Sequence, residues 1–180
     1  YDGRHSSNDL KESLICGILE SGANVCEIGL VPTPLLYFSC INNNSVGGIM
    51  VTGSHNPKDY NGFKFVLDNA PFYGEDLKLM EKKAQNYFLD DVNAKRKKID
   101  LHDEYIKSIF KNYFQEKKIN IVWDSGNGSA GKVMKDLSMK IEGNHKLLFC
   151  EIDGEFPNHH PDPSDPKNLS FCKSEILKNE

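Results

Sequence analysis

The sequence predicts an α/β protein, and three observations carry that prediction. Helical and strand-like apolar patterns alternate along the chain, as they do in a parallel sheet covered by helices. Short apolar runs such as Ile49-Met50-Val51 show no polar alternation and suit a strand buried on both faces. A chain of 180 residues with 38% apolar and 27% charged residues has the composition of a globular protein that builds a core.

Asn8 is placed to cap a first helix, in which Leu10, Leu14, Ile15, Ile18 and Leu19 recur at helical spacing before Gly22 stops it. A strand is expected over 25–30. Thr33-Pro34 then gives a cap followed by a first-turn proline, opening a helix through Leu35, Leu36 and Phe38. The run Ile49-Met50-Val51 leads into a polar loop over 52–62, and a strand resumes over 63–67. Leu77, Met80, Ala84 and Tyr87 define an amphipathic helix, and the charged stretch from Asp90 to Lys98 reads as a surface connection.

The second unit begins with Leu101, Tyr105, Ile109 and Phe110 on one helical face, followed by a strand over 119–123. A glycine-rich turn over 124–131 starts the next helix. A strand follows over 147–150, then a loop over 153–166 with four of the eight prolines, then a helix from Leu169. The chain starts without methionine and stops inside a helical pattern with no stop signal, which predicts a piece of a longer protein with its second unit unfinished. Two strands with their helices bury too little apolar surface to stand alone, so further chain or a partner is expected to complete them.

A net charge of −4 offers no footprint for nucleic acid or an anionic membrane. No apolar run approaches the roughly 18 residues that span a bilayer, and no leader precedes the first helix, so a cytoplasmic location is expected. Cys16, Cys26, Cys40, Cys150 and Cys172 are odd in number and widely spaced, which predicts reduced core thiols.

Three stretches can carry chemistry. In Thr52-Gly53-Ser54-His55-Asn56-Pro57, at the carboxyl end of a strand, Gly53 removes a side chain where a substrate could approach. Asn56-Pro57 forces a turn, and Ser54 is presented as a hydroxyl nucleophile. The same stretch also reads as a polar surface loop. Lys64 lies on the returning strand, on the face opposite Phe63 and Phe65, where desolvation would lower its proton affinity and suit it to acid–base work. The simpler reading of Lys64 is an edge-strand lysine that discourages aggregation.

The third stretch, Gly126-Asn127-Gly128-Ser129-Ala130-Gly131, fits a dinucleotide fingerprint, with Glu151 at the end of the next strand. Asp124 and Ser125 precede the first glycine, and a carboxylate there would repel a pyrophosphate, so a tight packing turn is preferred. Adjacent His159 and His160 point opposite ways on an extended chain and make a poor metal pair with Asp162 and Asp165. His5, His102 and His145 read as ordinary histidines.

The loop from Thr52 to Pro57, continued by Asp59-Tyr60-Asn61-Gly62-Phe63-Lys64, resembles the phosphoserine loop of bacterial phosphomannomutase/phosphoglucomutase enzymes in the α-D-phosphohexomutase superfamily. Asp2-Gly3-Arg4, Ile28-Gly29-Leu30-Val31-Pro32-Thr33-Pro34, Asp124-Ser125-Gly126-Asn127-Gly128 and Asp153-Gly154-Glu155-Phe156-Pro157-Asn158-His159-His160-Pro161 resemble that family in the same order. The resemblance implies three-layer α/β/α domains with mixed sheets, a first domain over residues 1–100 and the first part of a second over 101–180. It implies a mutase that interconverts hexose 1-phosphates and hexose 6-phosphates through a hexose 1,6-bisphosphate. Ser54 would be the phosphoryl carrier, Lys64 the general acid and base, and His55 a neighbour that steadies the phosphate or relays a proton. Mg2+ would bridge the Ser54 phosphate, for a phosphoserine carries about −1.5 to −2 charges and its transfer demands a cation and positioned donors.

The family draws its magnesium ligands from an aspartate-rich DGDGDR loop, and no such sequence occurs here. The isolated piece is therefore expected to be inactive, with the missing carboxyl-terminal part of the enzyme as its partner. A non-catalytic remnant or interaction module, and a dinucleotide-binding module using Gly126 to Gly131, are the alternatives.

Overall fold

The computed structural model describes residues 1–84 and 93–178. Helix α1 (Ser7–Glu20) begins before Asn8, so that residue sits inside the first turn and does not cap it. Its buried stripe is Ser7, Lys11 and Ile15, with spacing i, i+4, i+8. Two of these positions are polar because the helix covers other polar groups. Ser7 Oγ donates to Asp2 Oδ1, and Lys11 Nζ reaches Glu27 Oε1 at 3.1 Å.

Strand β1 (Val25–Glu27) is shorter than the 25–30 expected, and α2 (Thr33–Asn42) begins at Thr33 with Pro32 as its cap residue. Leu35, Leu36, Ser39 and Cys40 form the buried face of α2. Leu36 and Cys40 meet Met50 of β2 (Gly47–Val51) in the core, with Ile28 against them. The approach is close because Gly48 has no side chain: a Cβ there would lie 2.5 Å from Cys40 Sγ.

The carboxyl end of β2 is buried on both faces as expected, since the neighbours Met50 and Val51 point opposite ways and are both buried, but the strand does not lie in a parallel pair. β2 buries only Met50 and Val51, and it pairs antiparallel with β3 (Phe63–Leu67), opposing Met50 to Lys64 and Val51 to Phe63. β3 continues antiparallel into β4 (Ala70–Phe72) through Asp68 and Asn69, with φ of 49° and 62°. A two-residue turn with both φ values positive matches the twist of a hairpin.

Helix α3 (Glu75–Ala84) contains the expected Leu77 and Met80, while Tyr87 and Asp90 lie outside the described residues. The charged stretch is not only a surface connection. Its end forms β5 (Arg96–Lys98), parallel to β1. Ion pairs accompany the backbone pairing: Arg96 Nη1 and Nη2 lie 2.7 and 2.8 Å from the Glu12 carboxylate, and Nη2 also lies 2.7 Å from Glu27 Oε2. Hydrogen bonds from Arg96 and Lys11 hold the Glu12 carboxyl at about 2. Burial pushes the Glu27 carboxyl up, but Arg96 and Lys11 outweigh it and keep it below the usual carboxylate range.

In the second half, α4 (His102–Phe110) buries His102 and Ile106 and sets Tyr105 edge-on to Phe38 of α2, ring centroids 5.3 Å apart. Strands β6 (Ile121–Asp124) and β7 (His145–Leu148) are parallel and flank α5 (Gly131–Ser138) in sequence. Helix α6 (Ser170–Leu177) packs on β6. Trp123 Nε1 donates to His145 Nδ1 at 3.0 Å, tying the two strands at their faces. The α/β class is as expected, with a mixed strand arrangement: among the described residues there are two parallel pairs and one antiparallel three-stranded sheet. The cysteines are free, but only Cys40 is buried. Cys16 and Cys26 are exposed, because the helix face and the strand side that carry them turn outward.

Candidate active site

The loop between β2 and β3 is closed at its base by Thr52 N, which donates to Gly62 O at 2.9 Å. Within it Thr52 Oγ1 accepts from Ser54 N at 2.9 Å, and Asn56 N donates to Gly53 O at 3.0 Å. Ser54 sits at φ +53°, a left-handed conformation that a residue with a Cβ adopts only when its surroundings hold it.

The cross-strand register then matters. Lys64, opposite Met50 on β3, stands one residue from the loop's end, and its Nζ donates to Ser54 Oγ at 2.9 Å. Ser54 and Lys64, singled out separately in the sequence, are thus in direct contact. Lys64 is exposed at the mouth of the site and is not enclosed by Phe63 and Phe65. His55 is also exposed, and its Nδ1 lies 4.0 Å from Asp162 Oδ1. Hydrogen bonds from Ser164 Oγ and N hold the Asp162 carboxyl below its usual range, with His55 and His160 adding to the effect.

The role expected of Gly53 changes. A Cβ on it would lie 2.5 Å from Arg4 Cζ and from Tyr60 O, so the missing side chain makes room for the protein's own arginine and not for a substrate. Arg4 is 3% exposed. Its guanidinium lies behind the loop and donates to four of the loop's backbone carbonyls: Ser54, Asn56, Pro57 and Tyr60. Sequence reasoning noticed Arg4 only within a motif, since nothing in the residue's type signals that it is buried.

The second half of the chain forms the facing wall. Glu155 accepts from Lys58 Nζ at 2.5 Å and lies 2.8 Å from His5 Nε2, and the Phe156 ring covers the Arg4 guanidinium at 5.1 Å. Lys58 and His5 hold the Glu155 carboxyl below the usual range, and the carboxylate in turn raises the Lys58 ammonium. Between the two walls lies a cavity of about 450 Å³ lined by Ser54, His55 and Lys64 on one side and by Ser125, Gly128 and His159 on the other.

The glycine turn faces this cavity but is organised for packing. Asp124 folds back onto it, accepting from Gly126 N at 2.8 Å while His159 Nε2 lies 3.1 Å from each carboxylate oxygen. A Cβ on Gly131 would lie 1.9 Å from Cys150 O, so that glycine lets α5 start against the chain leaving β7. Glu151, the acid a dinucleotide site would use, is paired with Lys135. Asn127 locks the turn to the facing loop by donating to Glu151 O at 2.9 Å and accepting from Asn158 Nδ2 at 2.7 Å.

A phosphate on Ser54 would supply one ligand to a divalent cation. Among the described residues no group of three or more His, Cys, Asp or Glu side chains is arranged to complete its shell, and Asp124 is already engaged by His159. The residues present therefore do not by themselves fit a metal centre. No helix among the described residues is long and apolar enough to cross a membrane.

Comparison with known proteins bears on the fold and the family. A family model described as phosphoglucomutase/phosphomannomutase, alpha/beta/alpha domain I, matches residues 1–89, and the corresponding domain II model matches residues 103–180. A phosphomannomutase/phosphoglucomutase of Pseudomonas putida is 42% identical over 168 residues, an alignment that takes in 93% of this chain and 36% of that protein. A phosphoglucomutase of Neisseria meningitidis serogroup B is 42% identical over 176 residues, with 93% and 37% covered. The crystal structure of a phosphoglucomutase/phosphomannomutase family protein from Burkholderia thailandensis superposes with a TM-score of 0.87 at 35% identity, over 97% of this chain and 40% of that one. The chain thus spans less than two fifths of the length of these curated relatives. Two consecutive domain models, in the order the fold presents them and together taking in nearly all of the sequence, establish that the chain belongs to the phosphoglucomutase/phosphomannomutase family.

Proposed function

We propose that this chain carries the phosphoserine part of a phosphohexomutase that interconverts hexose 1-phosphates and hexose 6-phosphates. The observation that carries the reading is the 2.9 Å hydrogen bond from Lys64 Nζ to Ser54 Oγ. With a phosphoryl group on Ser54, a hexose phosphate in the cavity attacks phosphorus through its free hydroxyl. The new P–O bond to the sugar forms as the P–Oγ bond breaks, and Lys64 delivers a proton to the departing Oγ. The hydroxyl proton leaves to solvent or to His55. The hexose 1,6-bisphosphate then turns over, and its other phosphate returns to Ser54: the P–Oγ bond forms as the sugar O–P bond breaks, Lys64 accepts the proton from Oγ, and the departing sugar oxygen takes a proton from solvent or from His55.

The metal of this family is proposed to be Mg2+, with the Ser54 phosphate as the ligand this chain contributes and the remaining ligands supplied by chain beyond residues 1–180. We place the boundary between the two units at residues 100 and 101, after β5, and the reaction in the cytoplasm, where five free cysteines stay reduced. The piece alone is expected to lack mutase turnover until the rest of the enzyme joins it.

The test is the intact mass and peptide map of the chain after incubation with magnesium and glucose 1,6-bisphosphate, with Ser54→Ala alongside. One phosphoryl group on Ser54, absent from the variant, supports the reading. A phosphate on another residue, or none on Ser54 even in a chain joined to its missing part, overturns it.

A further inference from the structure

We infer that Arg4 is a positioning residue for Ser54 and not a ligand of the phosphate. This deepens the reading of Ser54 as the phosphoryl carrier and rests on it. A guanidinium has five N–H donors in a planar fork, and in Arg4 each of them is committed. Nη1 donates to Pro57 O at 2.6 Å and Tyr60 O at 2.9 Å, Nη2 donates to Ser54 O at 3.0 Å and Asn56 O at 2.7 Å, and Nε donates to Asp2 Oδ2 at 3.3 Å. None remains to receive a phosphate oxygen. The one open face of the group is covered by Phe156.

Four carbonyls converging on one cation give the loop a fixed curl. Ser54 is pinned from both ends of its peptide units, by Thr52 Oγ1 on its N–H and by Arg4 on its C=O, which accounts for its left-handed φ. That conformation turns Oγ toward Lys64 and the cavity. The buried charge is itself held: Asp2 pairs with it and is anchored by Ser7 Oγ at the start of α1. A lysine in place of Arg4 keeps the charge but presents a single point with three donors, which cannot span four acceptors.

Arg4→Lys is the discriminating variant, with Arg4→Ala beside it, in the chain joined to its missing part. Backbone and Cβ chemical shifts of Ser54 should leave left-handed values in Arg4→Lys, and the cross-peak between the Lys64 and Ser54 side chains should vanish. Signals of β2 through β4 and of β6 and β7 should keep their dispersion. The rate at which glucose 1,6-bisphosphate phosphorylates Ser54 should fall about 100-fold, the scale of a misplaced reacting group, with the half-saturating concentration unchanged. Unchanged Ser54 shifts overturn the inference. So does a raised half-saturating concentration with an unchanged maximal rate, the mark of a phosphate ligand, and so does loss of dispersion in both units with Arg4→Lys, the mark of a general stabiliser. Absence of phosphate on Ser54 in the wild-type chain joined to its missing part would sink the carrier reading instead, while the shift comparison still decides how Arg4 acts on the loop.

Discussion

The Glu155 carboxylate and the Lys58 ammonium lie 2.5 Å apart although 97 positions separate them in the chain. Lys58 belongs to the loop that carries Ser54, and Glu155 to the opposite wall, so this pair joins the two halves at the edge of the cavity. Both side chains are about half exposed, at 47% and 51%. A double-mutant cycle of Lys58→Ala and Glu155→Ala, followed by urea unfolding, should therefore give a small coupling that shrinks further as salt is added. A large coupling that salt leaves unchanged would mean that the pair is sheltered from solvent.

Lys64→Ala should slow phosphoryl transfer at Ser54 by about 10²–10⁴-fold, the usual contribution of a positioned general acid. Because Lys64 is exposed, its removal should change folding stability by no more than about 0.5 kcal/mol. The rate of Ser54 phosphorylation, set beside the urea midpoint, checks both statements. A lysine that is merely solvated surface would leave the rate untouched.

Stability toward acid should depend on the group formed by Arg96, Glu12 and Glu27. Glu12 has an ordinary value of 4.5 and is held at about 2 in the folded chain, and Glu27 is shifted in the same direction. The folded values lie below the unfolded ones, so this stabilisation is fully present above about pH 4.5. It is lost as the pH falls from there through about 2, where the unfolded chain binds protons first. Glu12→Gln should flatten that part of a plot of urea midpoint against pH and leave its shape above pH 5 unaltered.

Gly131→Ala should destabilise the second unit by about 1–3 kcal/mol, because the added methyl group meets the backbone carbonyl of Cys150 and no side chain can rotate away to admit it. The same view of the glycine turn predicts that the wild-type chain neither quenches nor shifts NADH fluorescence. A saturable change in that signal would restore the dinucleotide reading.

Legibility followed the range of the forces involved. The span of β3 and the contents of the loop before it were readable because period-two patterning and turn residues act locally. β5 was not, since three charged residues became a strand by pairing with β1 and with the carboxylates of Glu12 and Glu27, all far away in the sequence. The direction of β2 was also hidden, because an apolar run does not reveal whether its neighbour runs with it or against it. In the site, residue types were enough to raise Ser54 and Lys64 as candidates. Whether Lys64 was enclosed or exposed stayed open, and Arg4 and Glu155 went unweighed, because burial and long-range pairing are decided by packing.

Trp123 is the only tryptophan in the chain, and its indole N–H is fixed to His145 across β6 and β7. Intrinsic emission excited at the indole band is therefore a private reporter of the second half. Thermal melts followed this way, and compared with circular dichroism of the whole chain, would separate the order in which the two walls of the cavity come apart without attaching any dye.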